Sequence, residues 1–208
     1  MRVFCLTAGH FRGLMVWMEE SDAAIVAQVR QGDREAFRSL VERHSRALFR
    51  LGHRMTGNVQ DAEEIVQETF LRAYRRLDGF ESRSSFKTWL FRIATNCSLD
   101  VISRRQRAEE VPLYDPEREP MHELPLASEA PGPEREVLSQ EVSRRLAIAM
   151  HQLSPVERAA FVLRHFEGMS LEEISSLLGV KRDNAKNSVF RAVKKIRRHL
   201  EPVAGSRS

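Results

Sequence analysis

The sequence predicts an all-α fold: two small helical domains joined by an extended acidic linker. Three observations carry this reading. Apolar residues recur at three- and four-residue spacing between strong helix-capping signals, first over 18–107 and again over 136–201. Between these stretches, residues 108–135 hold Pro112, Pro116, Pro120, Pro125, Pro131 and Pro133, six of the eight prolines in the chain. They also hold Glu109, Glu110, Asp115, Glu117, Glu119, Glu123, Glu129 and Glu134, so neither helix nor strand suits them and an extended tether is expected. Finally, residues 170–198 read as two short helices joined through Gly179, the pattern of a helix-turn-helix.

Taken in order, residues 1–17 fit no helical pattern. His10 and Arg12 interrupt the apolar run that a signal peptide needs, so the segment reads as a disordered tail or a misassigned start before Met18. Ser21 caps a first helix carrying Ile25, Val26 and Val29. Gly32 breaks it, and Asp33 caps a second whose stripe is Phe37, Leu40, Val41, His44, Leu48 and Leu51. His44 on that stripe reads as a satisfied boundary histidine rather than a ligand. Gly57 and Asn58 end this pair, and Asn58 caps the next helix.

That helix spans Asp61 to Leu77. Ile65, Val66, Ala73, Leu77 and either Phe70 or Leu71 supply its core face. Asp61, Glu64, Gln67 and Glu68 form a polar, acidic face in its first half. Acids near a helix N-terminus suit the dipole, but that does not account for Gln67 and Glu68 well down the helix. Gly79 stops the helix, a polar loop runs from Phe80 to Ser85, and a further helix covers Phe86 to Arg107. This segment interleaves Phe80, Phe86, Trp89 and Phe91 with Lys87, Arg92 and Asn96. Rings beside cations suit stacked single-stranded bases, whereas periodicity alone assigns most of these rings to the core.

The second domain begins at Glu136, with Leu138, Val142, Leu146, Ala149, Met150 and Leu153 on one face. Ser154, Pro155 and Glu157 make a capping box with proline at the first helical position. Phe161, Val162, Leu163 and Phe166 pack that helix, and Gly168 ends it. Ser170 and Glu173 form a second capping box; Ile174, Leu177 and Leu178 follow, and Gly179 takes a left-handed turn. The last helix is expected from about Asp183 to His199, with a disordered tail from Pro202. It is strongly basic: Lys181, Arg182, Lys186, Arg191, Lys194, Lys195, Arg197 and Arg198 face one acid, Asp183. Such a helix enters a major groove with its N-terminal half on base edges and its later cations on phosphates.

Composition agrees. The 208 residues are 42% hydrophobic and 30% charged, with a net charge of only +4 that is segregated into basic clusters at 104–107 and 181–198. Segregation of this kind points to polyanion contact at chosen faces. Cys5 and Cys97, the two cysteines of the chain, lack metal-ligand spacing, and a reducing cytoplasm is the expected setting. No apolar run reaches the ~18 residues of a membrane span, so direct membrane insertion is not expected. No nucleophile, glycine-rich loop or histidine cluster accompanies the carboxylates of 61–68. No catalytic residue, metal, cofactor or small-molecule substrate is therefore assigned.

The segments DAEEIVQETFLRAYRRLDGF and FKTWLFRIATNCSLDVISRRQR, followed by the capped helix-turn-helix, resemble the bacterial RNA polymerase sigma factors. Within the sigma-70 family the likeness is to the extracytoplasmic-function (ECF) group, over about residues 20–200. The resemblance implies a sigma2-like and a sigma4-like domain that bind core RNA polymerase, recognise promoter DNA and help to open it. It places Asp61, Glu64, Gln67 and Glu68 on the polymerase clamp helices. It places Phe80, Arg83, Ser85, Phe86, Lys87, Trp89, Arg92, Asn96 and Asp100 at the −10 element, where a base is flipped into a loop pocket. It assigns Lys186, Asn187, Ser188, Phe190 and Arg191 to the −35 element. It further implies an anti-sigma factor as a restraining partner, and an acidic linker that mimics nucleic acid in the polymerase's RNA path. Two positions depart from the family pattern. Lys181 stands where a Ser or Thr cap is common, leaving Asp183 to cap one turn later, and Ser188 stands where a basic residue is common. Two other classes compete: a free-standing helix-turn-helix regulator with an N-terminal sensor domain, and an enzyme using the carboxylates of 61–68.

Overall fold

The computed structural model describes residues 20–81, 84–109, 142 and 144–204. Their order is α1 Asp22–Arg30, α2 Ala36–Thr56, α3 Val59–Arg75, a 3₁₀ turn Leu77–Gly79 and α4 Phe86–Glu109, then α5 at residues 144–151, α6 Pro155–His165, α7 Leu171–Leu178 and α8 Arg182–Ala204. No strand occurs among the described residues, in keeping with the all-α reading. The expectations for residues 1–17, for Arg83, for Leu138 and for the linker at 110–135 lie outside the described residues.

The caps fall where short-range chemistry puts them. Ser21 Oγ accepts from the Ala24 N–H at the start of α1. Asp33 Oδ1 accepts from the N–H groups of Glu35 and Ala36 ahead of α2. Gly57 ends α2 in the left-handed conformation, φ 71°, which an L side chain adopts only at a cost. Asn58 Oδ1 then takes the Asp61 N–H, so α3 begins at Val59 rather than Asp61. At its far end α3 stops at Arg75, and Leu77 is buried from the 3₁₀ turn. Phe70 fills the core while Leu71 stays exposed, which settles the choice the periodicity left open. His44 is buried with Nε2 2.9 Å from Asp22 Oδ2, the satisfied boundary histidine that was expected.

Helix α2 packs against α1, α3, α4 and α6. Its stripe, Leu40, Leu48, Leu51 and Met55, is almost wholly excluded from water. The crossing with α3 is close because residue 52 is a glycine. A Cβ built there would meet the Ala62 Cα at 3.2 Å and the Ile65 Cγ2 at 3.4 Å.

In the second domain both capping boxes form. Ser154 and Glu157 exchange side-chain and backbone bonds at 3.1 and 3.3 Å, and Ser170 and Glu173 do so at 2.8 and 3.1 Å. Gly179, φ 66°, turns the chain from α7 into α8. Helix α8 begins at Arg182, with the Lys181 carbonyl accepting the Ala185 N–H at 3.0 Å. Asp183 is therefore an acid in the first turn, favoured by the dipole, and not a cap. The helix also runs past His199 and through Pro202 to Ala204, where a disordered tail was expected. Val142 proves exposed rather than part of the α5 core face, whereas Ala149, Met150 and Leu153 are buried.

The two domains touch. Helix α6 packs on α2 and α4, and Arg158 Nη1 donates to the Met55 carbonyl at 2.6 Å. Met55 lies in the last turn of α2, where carbonyls lack intrahelical partners, so one domain caps a helix of the other.

The α2–α3 crossing yields a stability test. Gly52→Val places a branched side chain against the α3 backbone, which cannot give way without separating two packed helices. We expect a loss of about 1–3 kcal/mol, read as a lower urea midpoint by circular dichroism.

Candidate nucleic-acid and protein interfaces

Three faces emerge, built from different elements. The first is α4 with the loop before it. Arg30, at the end of α1, fixes the start of that loop by donating to three carbonyls, those of Leu77 (2.6 Å), Asp78 (3.1 Å) and Phe80 (2.5 Å). Phe80, Phe86 and Trp89 cluster with centroids 5.2–5.6 Å apart. Phe80 and Phe86 are buried and Trp89 is partly so. The periodic assignment of these rings to the core therefore holds. In this conformation the two phenylalanine rings offer no surface to a base, and they act by fixing what stands beside them. Ser85 Oγ accepts the Thr88 N–H and caps α4. Beyond it, Arg92, Asn96 and Asp100 are exposed at four-residue intervals, one polar strip along the helix. Lys87 is exposed on the opposite side of α4 from this strip, its ammonium 5.1 Å from the Phe91 ring centroid.

The second face is a groove of about 640 Å³ between α3 and α4, lined by Glu64, Gln67, Glu68, Arg72, Asp100 and Arg104 among others. It is not the bare acidic patch that the sequence suggests. Arg104 binds Glu64 at 2.8 Å, Arg72 binds Glu68 at 2.6 Å, and Arg72 also reaches Asp100 at 3.5 Å. Such exposed pairs contribute about 0–1 kcal/mol each, so a partner's charges can replace them cheaply. Gln67 is exposed between them. Asp61 differs from the other three. It is buried, with Oδ1 accepting from Arg105 at 2.8 Å and Oδ2 without a partner. Burial pushes its carboxyl above the ordinary range against the opposing pull of Arg105. Asp61 thus joins α3 to α4 rather than facing outward, a correction to its place on the acidic face.

The third face is α8. Ala185, Ser188, Ala192 and Ile196 are buried at helical spacing. Ser188 therefore points into the domain, and its assignment to a DNA-facing position is corrected: small residues here let α8 approach α6 and α7. Lys186, Asn187, Phe190 and Arg191 are all on the outer side, and Phe190 is 67% exposed. Below them, the buried Glu157 gathers cations. Lys195 Nζ lies 2.6 Å from Glu157 Oε2, and Arg191 Nε 3.7 Å from Oε1. Burial alone would raise the Glu157 pKa. Hydrogen bonds from Lys195 and from the Ser154 backbone outweigh it and hold the carboxyl below its ordinary 4.5. Arg182 pairs with Glu172.

Comparison with known proteins decides what these faces belong to. The sequence model of Sigma-70 region 2 matches residues 40–108, and that of Sigma-70, region 4 matches residues 143–196. The chain is 36% identical over 191 residues to the ECF RNA polymerase sigma factor SigE of Mycolicibacterium smegmatis, covering 88% of this chain and 71% of that one. It is 34% identical over 184 residues to the ECF RNA polymerase sigma factor SigW of Bacillus subtilis, covering 86% and 96%. The chain belongs to the ECF sigma factors. In structure it is similar to CnrH in its complex with the cytosolic domain of CnrY, with TM-score 0.61, 26% identity, and coverage of 88% of this chain and 99% of that one. Its function is accordingly that of the family, promoter recognition and transcription initiation with RNA polymerase.

Several residues that organise this sigma factor's faces escaped the sequence. Arg30 and Arg105 look like ordinary surface arginines, and nothing local marks their partners 44 to 50 residues away. Glu157 was legible as a capping residue but not as the anchor of α8.

Glu157 gives a pH test. Its folded pKa is depressed, so the stability it contributes is fully present above about pH 4.5 and is lost as pH falls through the lower folded value. Glu157→Gln keeps the cap but not the charge. We expect it to cost about 1 kcal/mol near neutrality, and the wild-type and variant melting curves to converge as the solution is acidified below about pH 4.5.

Proposed function

We propose that this ECF sigma factor docks on core RNA polymerase through the α3–α4 groove, reads the −10 element with the α4 strip and its preceding loop, and reads the −35 element with the outer side of α8. It acts in the cytoplasm by binding alone. Within 61–68, Asp61, Glu64 and Glu68 are each paired with an arginine, which favours docking over catalysis. The observation that carries the reading is the continuity of the α4 strip with the groove: Asp100 belongs to both. A surface that meets DNA at one end and polymerase at the other has a use in an initiation factor. A free-standing regulator, which needs only α8, has none for it. A restraining protein partner is also proposed, supported by the likeness to CnrH held by the cytosolic domain of CnrY. For Phe80 and Phe86 the role is indirect, to position Ser85 and Lys87. Domain limits of 18–107 and 136–201 remain part of this proposal, as does the linker's passage along the RNA path.

Two experiments bear on the two ends of the mechanism. Glu68→Lys sets a lysine beside Arg72 and reverses charge in the groove. The folded variant is expected to lose co-purification with core polymerase, a change worth several kcal/mol across an interface, while Gln67→Ala weakens it less. Retention of wild-type affinity by Glu68→Lys would remove the groove from the interface. At the other end, Lys186→Ala is expected to weaken binding to −35 duplexes. A phosphate contact shows as a uniform loss with a salt slope reduced by about one, and a base contact as relaxed specificity at one position. No change in either quantity would show that α8 does not contact DNA through Lys186.

A further inference from the structure

Helix α1 lies ahead of residues 40–108, the stretch that matches Sigma-70 region 2, and it contributes no side chain to the α4 strip, the groove or the outer side of α8. Ile25 and Val26 are buried and seat it on α2 and the 3₁₀ turn. With nine residues it is about 13 Å long. Each of its ends carries a polar side chain that reaches one end of the loop before α4.

At the C-terminal end, Arg30 Nη2 donates to the carbonyls of Leu77, Asp78 and Phe80, and Nε donates to Leu77 again at 3.2 Å. Arg30 has no carboxylate partner among the described residues, so its planar fork is committed to these converging carbonyls. Packing does not hold the backbone here: a Cβ built on Gly79 would have nothing within 4 Å. The bonds to Asp78 and Phe80, on either side of that glycine, hold it instead. At the N-terminal end, Asp22 Oδ1 accepts from Arg43 Nη1 at 2.6 Å, and Oδ2 from His44 Nε2 at 2.9 Å. His44 is buried, and its ring packs on that of Phe86, the first residue of α4, with centroids 5.7 Å apart. The two anchored ends then meet, Phe80 lying edge-on to Phe86 at 5.5 Å. Between them Glu81, Ser84 and Ser85 are exposed.

We propose that α1 is a brace for the −10 loop, with Arg30 and Asp22 as positioning residues. Arg30 holds the chain where it enters the loop, and Asp22, through His44 and Phe86, holds it where the loop becomes α4. Ordering a loop at the moment of binding costs conformational entropy. A loop with both ends already fixed has less to lose, so a base taken out of its stack meets a prepared site. This rests on the reading of the loop as the −10 reader, and the test separates the two.

Two readouts on the full chain form the test. Amide hydrogen exchange, followed by mass spectrometry on peptides covering the loop, reports how firmly the loop is held. For DNA, a randomised pool of single strands of ~12 nucleotides, a length suited to single-strand binding, is enriched on wild-type holoenzyme after counter-selection on core polymerase. The enriched strand is then remade with one base removed at each position in turn. Arg30→Gln and Asp22→Asn, each folded by circular dichroism, are expected to exchange faster in the loop and unchanged in α6–α8. Each is expected to bind the enriched strand roughly three- to tenfold more weakly in holoenzyme. That loss is expected to vanish on the strand lacking the base whose removal costs wild type most, because the brace acts through the site for that base. Arg30→Lys keeps the charge without the fork and is expected to weaken binding as well.

Unchanged loop exchange in both variants overturns the brace whatever the DNA result. Faster exchange with wild-type affinity, or an equal loss on every strand with a base removed, overturns its role in holding the base. Wild-type affinity in Arg30→Lys beside a loss in Arg30→Gln assigns Arg30 to plain charge attraction and overturns its part in the brace. Failure of the −10 reading shows separately, as no position in the strand whose base matters to wild type, and exchange alone then decides the brace.

Discussion

The end of α2 is the point on which the structure turns. A helix leaves its last carbonyls without intrahelical donors, and here groups of both domains bond to the carbonyls of this stretch. The Gly57 N–H bonds to His53, and the Thr56 hydroxyl bonds to Gly52. Arg158, from the second domain, takes Met55. Just before these, Gly52 lets α3 lie against α2 at backbone distance. The same short stretch thus sets the turn into α3, the spacing of the first domain's core, and the place where the second domain rests. Because α3 carries one wall of the groove and α4 packs on both α2 and α3, the faces proposed for polymerase and DNA inherit their geometry from this helix end.

What the sequence made legible is what short-range chemistry determines. Both capping boxes, the caps at Ser21 and Asn58, the helix end at Gly57 and the left-handed turn at Gly179 involve groups within a few residues of one another, and all appear as read. The inward face of α8 was present in the pattern too, as Ala185, Ser188, Ala192 and Ile196. It was overlooked because three of the four are small and one is polar, so the spacing did not register as apolar. Asp61 could not have been read correctly from its helix. Its environment depends on Arg105, 44 positions later, and on how α4 crosses α3. Arg158 is further still from its partner, 103 positions away, on the far side of a linker whose length says nothing about docking. Local rules therefore sufficed for elements and their ends, and failed where a side chain's role depends on which element lies opposite.

Charge pairing changes how α8 should be counted. The sequence shows eight cations from Lys181 to Arg198, and a simple reading assigns them all to DNA. The structure commits three of them to acids of its own: Arg182 to Glu172, and Lys195 and Arg191 to Glu157. The two Glu157 pairs differ in kind. Lys195 is held at 2.6 Å against a buried oxygen and fixes α8 to α6, whereas Arg191 is 62% exposed and its 3.7 Å contact is loose. A phosphate near Arg191 meets little resistance; one near Lys195 must first strip a buried carboxylate of its counter-ion, which is expensive. Counterion release scales with the phosphates neutralised, so the salt dependence of this helix on DNA is set by its outward cations and not by its total.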